Sequence, residues 1–277
     1  MIVRRLLLLA LLLAATACSD QIETTPLPDG IAAHIDQSRM ERKGREVFLR
    51  VENDTAKPIT ITAFRLTSPR FKDVLWTGDD EIGSTYEADL EFDFPRGRCG
   101  TDIDATVQLT YRIGDGELRR STTKAADPYG SAALFADRDC AESTLAKAAD
   151  IEVGDPQVVG QGRDSVLQVP VTLTPTGRAE GVRFRGFAPT VLFKQTDDSP
   201  TDVDVPLDQG DPATTQVMSV IPSRCDPHAL AEDKVGTLFG VAVEAPGLAD
   251  DSSFYLPLAR SQRSAFFTFF RTHCELE

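Results

Sequence analysis

The sequence predicts a mainly β protein built from two tandem immunoglobulin-like β-sandwich domains with short helical insertions. Runs rich in β-branched and aromatic residues alternate apolar with polar positions, as in "EVFLRVEN" and "SVLQVPVTLT". That is the period-2 signature of strands with one buried face. Turn residues such as Asn53-Asp54 and Pro175-Thr176-Gly177 separate these runs. The chain also repeats itself around its cysteines. "FPRGRC" ends at Cys99 and "VIPSRC" at Cys225, and Phe135 and Phe269 each stand five residues before the next cysteine, Cys140 or Cys274. The single Trp, Trp76, lies between neither pair of cysteines, so the antibody pattern is missing and the expectation is one of architecture.

Taken in order, the elements begin with "MIVRRLLLLALLLAATACSD". Arg4 and Arg5 precede an apolar run from Leu6 to Ala15 that is too short to cross a bilayer, so residues 1–17 read as a signal peptide. The end of this stretch, Ala15-Thr16-Ala17-Cys18, resembles a bacterial lipobox, with Ala15 where Leu is usual. The resemblance implies that Cys18 becomes the lipidated (palmitate-bearing) first residue of the mature chain. It would be held by more than one acyl chain, as stable anchoring requires. Residues 18–39 are then expected to be the lipidated cysteine and a polar tether. The expected location is extracytoplasmic, on the outer face of the bacterial cell membrane, where disulfides persist.

The first sandwich is expected over 40–144, a linker over 145–159 around "AKAADIEVGDPQ", and the second sandwich over 160–277. A chain of 277 residues, 41% hydrophobic, is long enough for two cores. Four cysteines besides Cys18 allow three connectivities. Only Cys99–Cys140 with Cys225–Cys274 treats the two halves alike, closing loops with sequence separations of 41 and 49 residues. A helical piece is expected just before the last cysteine of each half. "RSAFFTFFRTHC" fits either an amphipathic helix or a buried strand.

The densest cluster of chemically versatile residues is "PSRCDPHALAEDK", residues 222–234. Asp226 suits a helix N-cap and Pro227 the first helical position, which makes the cluster a fold corner. A sharper reading follows from the disulfide. It would bring the chain near His228 alongside His273, and with Asp226, Asp233 or Glu275 these imidazoles could hold a divalent metal. The equivalent positions in the first half are Asp102 and Asp139, so such a site would belong to the second half alone.

Other patterns carry less. "STTK", Ser121–Lys124, matches the Ser-x-x-Lys of penicillin-interacting enzymes, but neither a Lys-Thr-Gly nor an apolar helix follows, and a turn past a strand end is expected. The acidic run "QTDDSPTDVDVPLDQGD" lacks the ligand spacing of a calcium loop. With Lys+Arg 29 against Asp+Glu 43, net −14, the chain is unsuited to nucleic acid or to electrostatic docking on anionic lipid.

The lipobox, the two disulfide-spaced halves and "RCDPHALAEDK" together resemble bacterial surface lipoproteins of the actinobacterial type. The resemblance spans the chain and implies a membrane-anchored envelope protein. It carries no activity, so it transfers no catalytic residue. The expectation is a cofactor-free, non-enzymatic binding or adaptor module for an envelope protein, an envelope polymer or a small ligand. The competing expectation is a metal- or small-ligand-binding lipoprotein working through the corner at His228 and His273.

Overall fold

The computed structural model describes residues 24–38, 44–100, 102–231 and 235–276. In the first half, strands β1 (Thr24–Thr25), β2 (Ile31–Asp36), β3 (Glu46–Asn53), β4 (Ile59–Ser68), β5 (Phe71–Ile82), β6 (Tyr86–Asp93), β7 (Thr106–Ile113) and β8 (Arg119–Lys124) form two sheets. One has the order β2-β3-β6 and the other β1-β8-β7-β4-β5. The alternation read from the sequence is what closes them into a sandwich. Ile35, Leu49 and Leu90 lie in one cross-strand row and are all buried. Val107, Leu109 and Tyr111 of β7 face them from the other sheet, within the same apolar cluster.

After helix α1 (Ser131–Ala148), the second half repeats the plan. Its elements are β9 (Ala149–Val153), β10 (Gln157–Val159), a 3-10 turn (Gly162–Asp164), β11 (Val166–Pro175), β12 (Arg183–Phe187), β13 (Phe193–Gln195), β14 (Val205–Pro206), β15 (Thr214–Pro222), α2 (Pro227–Ala231), β16 (Gly240–Glu244), β17 (Ser253–Tyr255) and α3 (Arg260–His273). The sheets are β10-β11-β15-β13, with β9 also on β11, and β14-β12-β16-β17. The row β2-β3-β6 thus recurs as β9/β10-β11-β15, and β8-β7-β4 as β17-β16-β12. Each half ends in a helix tied by a disulfide to the loop that follows β6 or β15, Cys99–Cys140 to α1 and Cys225–Cys274 to the end of α3. The mainly β sandwich fold and the disulfide pairing read from the sequence are both present.

Three expectations are corrected. The tether was expected to run to residue 39, but Thr24 and Thr25 already pair in parallel with Arg120 and Ser121, and β2 is a full sheet member. Its alternating "IAAHID" buries Ile31, Ala33 and Ile35. The linker expected over 145–159 is the end of α1 running directly into β9 and β10, both hydrogen-bonded to β11. The polar residues of this stretch sit on helix and strand positions and at the bulge over residues 154–156. The helical piece expected just before Cys140 does not stop there, for α1 continues to Ala148.

That continuation gives α1 two cores. Ala132 and Phe135 pack in the first cluster, whereas Ala141, Leu145 and Ala148 pack in the second. Arg138, between them, stacks over the ring of Tyr255 on β17 at 4.1 Å. The helix reaches the first core because Gly97 lets the chain before Cys99 lie against it. A Cβ there would stand 2.5 Å from the Ala136 Cα. Gly97→Ala is therefore expected to cost about 1–3 kcal/mol, the usual range for overpacking, read as a lowered midpoint in urea unfolding. An unchanged midpoint would mean that the contact yields freely.

Candidate functional site

The corner at Cys225 folds locally as its residues dictate. The Asp226 carboxylate accepts the His228 N–H at 2.9 Å, and Pro227 opens α2. Cys225 is exposed and Cys274 buried, so the bridge staples a surface loop to the core. The two imidazoles part company. His228 is exposed on α2, while His273 is buried beneath α3 with its ring against Phe269. Its Nδ1 lies 3.0 Å from the Ser165 carbonyl oxygen and 3.2 Å from the Ser165 Oγ. Among the described residues no three His, Cys, Asp or Glu side chains come together as a metal-binding group. Asp233 lies outside the described residues. Asp226, for its part, is engaged as a cap and faces Arg224 at 3.7 Å.

The Ser165–His273 contact has the look of a nucleophile and its base, but the protons are allocated otherwise. Nδ1 must carry a hydrogen to bond the carbonyl oxygen, so it cannot also accept one from Oγ. The Ser165 hydroxyl donates to the Gly162 carbonyl at 2.6 Å. The pair is a structural lock, and the first half has its counterpart. Asp139, directly before Cys140, is buried and takes two hydrogen bonds from Arg45 at 2.9 and 2.7 Å and one from the Gly97 N–H at 2.6 Å. Arg45 directly precedes β3 and Ser165 directly precedes β11. In both halves the residue before the last cysteine clasps the residue that leads into β3 or β11, once by an ion pair and once by an imidazole hydrogen bond to a backbone carbonyl.

The remaining sequence candidates are structural. Ser121 is not in a turn but fully buried in the middle of β8, 2.9 Å from the Tyr111 hydroxyl and donating to the Pro26 carbonyl. Lys124, three positions along the strand, points to the other face. In the acidic run, Asp202 and Asp204 pair with Arg185, and Arg183 bonds Asp204 as well. The hydrogen bond from Arg183 holds the Asp204 carboxyl below the ordinary carboxylate range. Asp208 and Asp211 accept backbone N–H groups. These carboxylates are committed to arginines and turns. Cys18 lies outside the described residues.

Sequence reasoning missed a groove of about 550 Å³ between β10 and α3. Its floor is Leu167, Val158 and Phe269, its α3 wall is Ser261, Ser264, Ala265, Thr268 and Thr272, and no charged side chain lines it. Its origin is a bulge. Val153 pairs with Val171 and Gln157 with Gln168, so three residues, 154–156, oppose two. Pro170 sits opposite this break, where its missing N–H costs no ladder bond, and Gly154 leaves room for its ring. The break splits the edge into β9 and β10. Val158, opposite the buried Leu167 and therefore on the inner face, stays 56% exposed. A larger cavity of about 850 Å³ beside Cys99 is lined by Arg70, Asp102, Asp104 and Lys124. There the Arg70 guanidinium is already bonded to the Arg98 carbonyl and Asp137. Ligand sites are mainly apolar with a few convergent polar groups, and the groove fits that description better. Its only sequence signal is Pro170 within a strand pattern.

No protein-family model matches the chain, and no curated protein matches it. Among solved structures, the exo-chitosanase CsxA of Amycolatopsis orientalis aligns at 15% identity with a TM-score of 0.21, covering 82% of this chain and 26% of the enzyme. The BSP domain of a biofilm-associated protein aligns at 10% identity with a TM-score of 0.21, covering 84% of this chain and 59% of that one. The chain thus spans about a quarter and about three fifths of these two structures.

The two locks should differ in strength. Asp139→Ala strands the Arg45 guanidinium and the Gly97 N–H and is expected to cost about 2–3 kcal/mol, reduced from the fully buried case because Arg45 is partly exposed. Ser165→Ala keeps the backbone carbonyl that His273 bonds and removes only the hydroxyl's bond to the Gly162 carbonyl, so it is expected to cost no more than about 1 kcal/mol. Urea unfolding of the two variants measures both, and equal losses would contradict the ion-pair assignment.

Proposed function

We propose that this protein is a non-enzymatic binding module of the bacterial envelope, held at the outer face of the membrane by lipid on Cys18, and that the groove between β10 and α3 is its recognition surface. The observation that carries this reading is the groove itself. It is apolar at its floor, hydroxyl-rich along one wall and free of charged lining in a chain of net −14. Such a surface favours binding by burial and hydrogen bonding and offers no charged acid or base for hydrolysis. The Ser165–His273 pair beside it supports the same reading, since its protons are already assigned to carbonyls.

The fold supports an anchored role. Five residues, 19–23, separate Cys18 from the first sheet residue, Thr24. Fully extended, that stretch spans about 20 Å. Because β1 runs parallel to β8, the chain enters beside the β7–β8 hairpin, so this end of the first sandwich would face the bilayer. The second sandwich, joined through α1 rather than a loose linker, would carry the groove as part of a continuous body.

Two measurements test this. Cys18→Ala should abolish incorporation of labelled palmitate and release the protein from the membrane fraction. Persistence of both would end the lipoprotein reading. In-cell cross-linking followed by mass spectrometry should return one dominant envelope partner that a lipoprotein of similar abundance does not. Its absence would remove the adaptor form of the proposal.

A further inference from the structure

We infer that the occupant of the groove is an extended peptide segment of a partner protein, which adds to β10 as a further strand and presents acidic residues to α3. This deepens the binding-module reading and rests on it. Three independent features of the site define the occupant.

The first is the strand edge. β10 closes its sheet and pairs only with β11, through Gln157, Val158 and Val159, all of them exposed. Among the described residues no backbone or side-chain group bonds its outer edge. A row of unpaired N–H and C=O groups is a template for another strand. Here it borders an apolar slot, the arrangement in which main-chain bonds supply affinity and alternate side chains fill pockets.

The second is the slot. Ser261, Ser264, Ala265, Thr268 and Thr272 fall on one face of α3 at helical spacing. They are small, so the helix stands off from Val158 and Leu167 and leaves the inner face of the sheet open. Ser264 and Thr272 donate their hydroxyl hydrogens to carbonyls four residues back, at 3.0 Å each, and so present lone pairs to the groove. A strand in β10 register would place every second side chain over Val158 and Phe269. Those side chains must be apolar and uncharged.

The third is charge. α3 carries Arg260, Arg263 and Arg271 and no acidic residue, in a chain of net −14. Arg260 lies four positions before Ser264 and Arg271 three after Thr268, on the shoulder of the helix away from the core. Both are exposed, and among the described residues neither makes an ion pair, whereas nearby Arg163 faces Glu275. The complementary segment has acidic residues flanking its apolar centre.

The probe is a display library of random octapeptides panned on the whole protein, with enriched peptides measured by fluorescence anisotropy. The expected winners alternate apolar residues and carry Asp or Glu at their flanks. Their binding should protect β10 amides from hydrogen exchange. Thr268→Trp, an exposed position that fills the slot, should weaken binding at least about tenfold, which is about 1.4 kcal/mol. Ser264→Trp, one turn away, is the second block should the first variant fold poorly. Arg260→Glu with Arg271→Glu should weaken acidic peptides several-fold at low salt and less at high salt. Three results would overturn the proposal: no enriched peptide, enriched peptides that bind both Trp variants unchanged, or dodecanoate held in the slot where no peptide is. An in-cell partner retained by Thr268→Trp would also overturn it, while leaving the binding-module reading in place.

Discussion

Everything in this molecule hangs on a helix that is buried twice. The N-terminal half of α1 supplies Ala132 and Phe135 to the first core, and its C-terminal half supplies Ala141, Leu145 and Ala148 to the second. Burying a large apolar side chain is worth about 1.5–3 kcal/mol, so neither sandwich can release the helix without opening its own core. The chain then enters β9 without a break. Two sandwiches that a loop would have left independent are held in one arrangement, with Arg138 stacked on Tyr255 across the junction.

The repeat has kept its mechanics and changed its chemistry. In both halves a disulfide staples the final helix to the loop that follows the β6 or β15 strand, and the residue before the last cysteine clasps the entrance to β3 or β11. One half does this with a carboxylate and a guanidinium, the other with an imidazole and a serine. What the position demands is a buried polar group that bonds the residue leading into the strand, through its guanidinium in one half and its backbone carbonyl in the other, because an unmet polar group there would cost more than the bond itself returns. The identity of the group is free. The same freedom operates at the sheet edge. The bulge at residues 154–156, opposite Pro170, breaks the outer strand of the second half, and the slot that opens beside α3 distinguishes it from the first half, where Ser131 at the start of α1 bonds Asp36 at the end of β2.

Several features were legible because they are local. Alternation marked most of the strands, since the pleat has period two whatever packs against it. Asp226-Pro227 marked the start of α2, since a cap needs only its own backbone. The cysteine pairing followed from the symmetry of the repeat. The Ser121-Lys124 pattern was misread as a turn, because a serine in a strand looks the same in sequence whether or not a tyrosine waits for it.

The sequence by itself determined the class of fold, its duplication and the two covalent ties. It determined them through periodicity and pairing, which are properties of short stretches and of cysteine counting. Only the tertiary structure decided that residues 24–36 belong to the sheets, that 145–159 is helix and strand, that His273 turns away from His228 towards Ser165, and that a groove opens beside β10. Each of these depends on which surface another element covers. That is a matter of burial between residues distant in the chain, and no local pattern encodes it.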